Sequence, residues 1–361
     1  MVGTAMRLTE SDARAIVELA ELAPSIHNTQ PWRWRLDAAG LHLFADPARL
    51  LQVADPEGRQ LLISCGASLA FARLAARSRG LLVDAVLGPF ADDETGVPAA
   101  DQPLATLTVS GRRPASPAEA DLVAAMATRH TDRRPFLAGD RGRLTSDDLS
   151  ALRHAAEAES AWAWFVDDTD SRIETSVLLS RADWHEAHDP AYAAELRQWR
   201  HEPSVAADGI PSSAVPDVAG ERQSEFVLRD FGVDGGNDAS GAPGVAGGGL
   251  AGGGTASAAP GEGPVERPTV LVVGTDSDRP VDWLIAGGAT GRVMLTATAR
   301  GLAASPLGQV IDLTASRAQL GAVIGATGHA QMMLRLGRPD PALPPLPGTP
   351  RRGVDEILQI G

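Results

Sequence analysis

Lysine is absent from the 361 residues, so all 32 basic side chains are arginines. That excludes a Walker-type phosphate-binding lysine, a Schiff-base lysine and any Ser-Lys dyad. Cysteine occurs once, as Cys65. A single thiol excludes an internal disulfide and a cysteine-based zinc cluster, and its neighbours Leu61, Leu62, Ile63 and Ala67 mark it as buried and inert. No run of 18 apolar residues occurs, and the opening Met1 to Arg7 lacks the apolar stretch of a signal peptide, so a cytoplasmic protein with no membrane partner is expected. Positive charge is scarce overall: 46 carboxylates leave a net charge of −14 and a pI near 5.0, a field that repels nucleic acid and anionic lipid.

What is present is the composition of a globular protein, 43% hydrophobic and 22% charged with a mean hydropathy of −0.08, long enough for one large or two ordinary domains. The segment 232–264 stands apart because it holds 13 of the 38 glycines and no apolar periodicity, and it reads as a flexible insert. Its GGGLAGGG run (247–254) has no strand before it and no Lys-Ser/Thr after it, which argues against a phosphate loop.

A faint internal duplication predicts the architecture. Leu8 through Glu21 aligns with Leu144 through Glu157 at an offset of 136, and both stretches open on T-x-x-D, the start of a capped helix. Gly66 through Leu81 aligns with Gly287 through Leu302 at an offset of 221, and both end in Arg-Gly-Leu. Strands are expected at Trp32–Leu36, Leu41–Ala45, Ala105–Val109, Trp162–Val166, Thr269–Val273 and Met332–Leu336, with Val270 to Val273 covered on both faces. The class is α+β, or α/β with a mostly antiparallel sheet, in two similar halves, 1–125 and 126–361.

Four segments are candidates for a ligand site, each with a plain structural reading beside it. Ala23 to Trp32 runs from a helix through Pro24 to a strand through Pro31, placing Ser25, His27, Asn28, Thr29 and Gln30 in a short polar connector; a simple capped turn explains it equally well. Arg129 to Phe136 carries three arginines around Thr131, a chemistry for gripping phosphate, although a solvated basic turn has the same composition. Gly301 to Gln309 offers small residues that let a flat ring approach the backbone, or else forms an ordinary loop. Thr349 to Arg352 adds two guanidiniums after a proline-rich stretch near the C-terminus, a composition that a solvated tail shares.

Together these segments resemble the nitroreductase family of FMN flavoproteins, in particular its Acg-like branch, in which two nitroreductase-type halves are fused. The resemblance implies a nitroreductase fold whose halves form an intramolecular pseudo-dimer. It places Arg129, His130, Thr131 and Arg133 on the phosphate and ribityl chain of FMN, joined by Arg351 or Arg352. Ser25 and Asn28, with Gln30 beside them, match the connector that touches the flavin, and Pro306, Leu307 and Gly308 match the loop facing the ring near N5. Ile26 stands where the family often has another hydroxyl. Each motif occurs once, so one complete site per chain is expected, its mirror having lost its ligands, and the chain suffices as a monomer or pairs weakly as a homodimer.

The same resemblance implies cofactor chemistry with no catalytic side chain: hydride from NAD(P)H to the flavin, then on to a nitro group, quinone or similar small-molecule acceptor. No Ser-His-Asp, Cys-His or paired-carboxylate arrangement is evident. His185 and His188 are three apart, but without a further ligand no metal is expected. Residues 184–216, with Trp184, Tyr192, Leu196 and Trp199 on an amphipathic helix, read as a lid over the flavin or as a surface helix. A closed lid leads to the alternative function, a protein that sequesters or senses FMN with little turnover.

Overall fold

The computed structural model describes residues 6–90, 96–202, 204–215, 224, 226, 266–325 and 327–361, and the expected insert at 232–264 lies outside them. The first half runs α1 (Glu10–Ala20), β1 (Trp32–Asp37), β2 (Gly40–Ala45), α2 (Arg59–Ser78), β3 (Leu81–Leu87), β4 (Ala105–Arg112) and α3 (Pro117–Met126). The second runs α4 (Ser146–Glu157), β5 (Trp162–Val166), α5 (Thr169–Ala187), α6 (Pro190–Gln198), β6 (Thr269–Thr275) and α7 (Pro280–Ala299). It continues through β7 (Ala303–Pro306), α8 (Gly308–Asp312), α9 (Thr314–Val323), β8 (His329–Gly337), α10 (Val354–Ile357) and β9 (Leu358–Ile360).

Two sheets result, ordered β3-β4-β2-β1-β9 and β5-β6-β8-β7. Read from opposite ends they have the same strand order, with β5, β6, β7 and β8 standing where β1, β2, β3 and β4 stand. All pairs are antiparallel except β1 with β9. The chain's last strand therefore crosses into the first sheet, and a division at residue 126 does not hold for residues 358–360.

Both T-x-x-D starts form complete capping boxes, Thr9 with Asp12 and Thr145 with Asp148. The shared Arg-Gly-Leu has a matching role: Arg79 Nε reaches Asp12 at 2.7 Å and Arg300 Nε reaches Asp148 at 2.8 Å, so each arginine ties the end of a long helix to a cap. Those long helices, α2 and α7, cross at the centre of the molecule, where Gly66 and Gly287 let their backbones touch.

The shared core takes Trp32 and Trp34 from β1, Phe71 from α2 and Leu284 and Leu295 from α7. Strand β6 is covered on both faces as expected. Leu271 and Val273 point into this core, whereas Val270 and Val272 join a second one with Leu179 and Met333. The segment expected as a loop at Gly301 to Gln309 contains β7 and the start of α8, because Ser305 and its neighbours find backbone partners on β8.

Candidate functional site

The connector between α1 and β1 is held in a conformation that side chains rarely adopt. His27, Asn28 and Gln30 have φ of 45°, 56° and 49°, in the left-handed region, where each non-glycine residue costs on the order of 1–2 kcal/mol. Its surroundings impose that shape. The Gln30 amide donates to Ser25 Oγ at 3.0 Å and the Ile26 amide donates to Ser64 Oγ at 3.1 Å. Asn28 Nδ2 donates to the carbonyls of Gly209 and Pro350, both at 3.0 Å.

The arginine segment follows α3 and is clamped to β7 by the Asp132 amide, which donates to the Ala304 carbonyl at 2.9 Å. Asp132 takes Arg134 in a two-point ion pair and Arg134 continues to the carbonyls of Leu343 and Pro344, so this arginine is structural. Arg133, next to it, turns to the cavity, and its Nη1 donates to the Ala214 carbonyl at 3.3 Å.

Connector and arginine segment meet. One cavity of about 130 Å³ is lined by Ser25, His27, Thr131, Arg133 and the loop Pro306, Leu307 and Gly308. A smaller polar hollow shares Ser25, Thr131 and Arg133 with it and adds Asn28, Arg129, His130 and Arg351. The buried floor of the larger cavity comes from one face of α2 (Ile63, Ser64, Ala67) and one face of α7 (Thr290, Met294).

Arg129 and Arg351 dominate the electrostatics of the small hollow. Arg129 is buried, and its side chain's only hydrogen bond among the described residues is from Nη2 to the Leu22 carbonyl at 3.3 Å; Nε and Nη1 have none. Arg351 donates through Nη1 to Asn28 Oδ1 at 3.0 Å and to Thr349, while its buried Nε has no acceptor among the described residues. Burial, and then the neighbouring Arg351, lower the Arg129 pKa to about 9, and burial lowers that of Arg351 to about 10. Both guanidiniums stay charged at neutral pH. Burial also lifts Glu21 to about 7 despite the opposing pull of Arg351, so the carboxylate that acts on Arg351 is only partly ionised at neutral pH. Two buried cations with spare N–H groups are a costly arrangement unless an anion joins them.

Gln30 and Arg352 stand outside both linings. Gln30 donates to the Ala207 carbonyl and accepts from the Arg352 amide, and Arg352 reaches the Gln30 carbonyl and Glu356; both tie the connector to the C-terminal segment rather than facing the cavity. The expected lid is two helices, because Asp189 caps a new helix that starts at Pro190. It packs beside the connector: Glu195 accepts from the amides of Val53 and Ala54, Arg49 pairs with Asp208 at 2.7 Å, and Tyr192 meets the edge of His27. Ile210 and Ala214 line the polar hollow, whereas no described residue of 184–216 lines the larger cavity. His188 donates to the Trp184 carbonyl and stacks on its ring.

Sequence reading missed Ser64, Thr290, Met294 and Arg335 in the larger cavity. Thr290 and Met294 are one helical turn apart on α7, a spacing that reads as ordinary core, and the buried Thr290 hydroxyl, which has no hydrogen bond among the described residues, could not be told from a packed one.

No family model matches the chain. Full-length relatives do: a Mycobacterium tuberculosis protein named "Putative NAD(P)H nitroreductase Rv3131" is 32% identical over 349 residues, 96% of this chain and 90% of that one. The chain belongs to the nitroreductase family. A second member from that organism, named "Putative NAD(P)H nitroreductase acg", is 30% identical over 353 residues, 98% of this chain and 97% of its own. A solved nitroreductase with bound FMN from Bacteroides fragilis overlaps 64% of this chain and 95% of its own, with 16% identity and a TM-score of 0.37. As a nitroreductase-family chain with two mixed helix and sheet layers, the protein matches the α+β fold expected.

Proposed function

We propose that the chain binds one FMN and works as an NAD(P)H-dependent oxidoreductase of nitroreductase type. The carrying observation is the pair of buried guanidiniums, Arg129 and Arg351, which line one hollow and carry N–H groups without acceptors among the described residues, a charge that suits a phosphate. Thr131 and Arg133 stand between that hollow and the larger cavity, placed to hold a polar chain leading from one to the other. The faces of α2 and α7, with Leu307 and Met332, would cover a ring with apolar surface and exclude water.

When bound, FMN supplies the chemistry, taking hydride from NAD(P)H and passing electrons to a nitro group, quinone or similar small acceptor. The protein's part is placement and charge balance. Because no described residue of 184–216 lines the larger cavity, the reading favours turnover over sequestration. The matching strand order and matching cap-to-arginine ties support two fused copies forming a pseudo-dimer, with one site assembled from both.

Purified protein should be yellow and bleach on anaerobic NADPH addition. Yellow protein that keeps its absorbance would support sequestration instead, and colourless protein that fails to take up FMN would overturn both readings.

A further inference from the structure

The duplication places a second cavity opposite the first, on the other side of the α2/α7 crossing. At the offset of 221, Ile63, Ser64 and Ala67 of the first cavity correspond to Leu284, Ile285 and Gly288, and Thr290 and Met294 correspond to Leu69 and Arg73. Those five counterparts all line the second cavity. The loop residues Ser305, Pro306 and Gly308 map likewise onto Asp84, Ala85 and Leu87, and at the offset of 136 Pro24 maps onto Ser160. The mirror space has therefore been kept while its chemistry changed. It measures about 390 Å³, within the range of roughly 300–1,000 Å³ typical of small-molecule sites.

Part of its wall is apolar. Gly66 and Gly288 contribute no side chains, and Leu69, Ala70, Leu284 and Ile285 surround them. Charge is concentrated at one end. An adjoining hollow shares Ala70, Arg73, Val83 and Glu159 with the cavity and adds Arg77, Arg292 and Glu119, an excess of one positive charge. Glu119 is engaged by Arg77 at 2.9 Å. Glu159, with a side chain only 8% exposed, accepts from Arg73 Nη1 at 2.6 Å and from Arg292 Nη1 at 3.3 Å. Each of these two guanidiniums gives Glu159 one nitrogen and keeps other N–H groups for a further acceptor. Asp84 lines only the larger space and accepts from Ser110 Oγ at 3.0 Å.

We infer that the mirror cavity is a second binding site, distinct from the flavin site, for a small planar carboxylic acid. Its ring lies over Gly288, against Leu69, Ala70, Leu284 and Ile285, and its carboxylate reaches Arg73 and Arg292. Phosphate-bearing ligands suit it less, because two carboxylates already sit among its arginines and repel a dianion. The inference is independent of whether FMN binds the first cavity.

The test is calorimetric titration of the full chain, as purified, with 2-naphthoate. Arg292→Met should weaken binding about tenfold, the scale of one lost charge-assisted hydrogen bond, and Glu159→Gln should strengthen it about fivefold by releasing both guanidiniums. Gly288→Leu, which projects a side chain towards Ala70 and Glu159, should abolish it, whereas Arg133→Met at the first cavity should leave it unchanged. Circular dichroism of each variant shows whether it is folded. No binding by folded wild type and folded Glu159→Gln overturns the inference. So does binding that Arg133→Met removes and Arg292→Met spares.

Discussion

Gly66 on α2 and Gly287 on α7 make the same contact in reverse: a Cβ on Gly66 would lie 1.9 Å from the Leu284 carbonyl oxygen, and one on Gly287 1.9 Å from that of Ile63. Leu284 and Ile63 are themselves counterparts at the offset relating the two glycines. The crossing is thus locally two-fold in these four residues, and both cavities are built on its faces.

That contact is the first thing to break. Gly66→Ala or Gly287→Ala must push the two helices apart through backbone atoms, which cannot swing aside, so each should cost at least ~2–3 kcal/mol. Gly321→Ala, on α9 with open space around it, should be neutral or stabilising by up to about 1 kcal/mol. Urea midpoints of the three variants check this, and equal loss in all three would contradict it.

The phosphate assignment predicts a graded loss of flavin. Removing one guanidinium deletes charge-assisted hydrogen bonds worth roughly 1.5–3 kcal/mol, so Arg129→Ala should weaken FMN binding about tenfold to a hundredfold. Arg129→Ala with Arg133→Ala should leave the protein colourless, whereas Arg134→Ala should act on stability, because its partner Asp132 is buried. Fluorescence of released flavin measures the first effect and thermal melting the second.

Glu21 should shape the pH dependence of stability. Its folded-state pKa is raised, from 4.5 to about 7, mainly by burial, so the folded protein binds more protons than the unfolded chain between those values. Its stabilising contribution is complete below about pH 4.5 and is lost as pH rises through 7. Asp55, lifted to about 6 by burial, adds a loss of the same sign. The difference between wild type and Glu21→Gln should therefore shift in the variant's favour from pH 5 to pH 8 in denaturant melts. A constant difference would show that Glu21 ionises freely.

The two capping boxes should not be equal. Asp12 holds its cap and Arg79, whereas Asp148 holds its cap, Arg300 and, at 3.0 Å, Arg338. A lost cap alone costs about 1 kcal/mol. Asp148→Ala should exceed Asp12→Ala by about 0.5–1 kcal/mol, the scale of one partly exposed ion pair. Double-mutant cycles with Arg300 and Arg79 separate cap from ion pair.

Much of this protein was determined by its residue order alone. Thr9 with Asp12 and Thr145 with Asp148 announce helix starts because a cap needs only residues three apart, and the alternation in β1 and the unbroken apolar run in β6 announce strands for the same local reason. The clustering of Arg129, Thr131 and Arg133 was equally visible. Contacts across space decided the rest. Arg133 and Arg134 are neighbours of one type, and only the position of Asp132 sends one to the cavity and the other into an ion pair. Gln30 and Arg352 carry no mark in sequence of binding each other, the short β7 exists only because β8 supplies its partners, and β9 joins a sheet begun more than 300 residues earlier. Local pattern encodes hydrogen bonds and burial within a few residues. Which charges meet, and whether a cavity remains between two helices, depends on packing that the folded chain alone supplies.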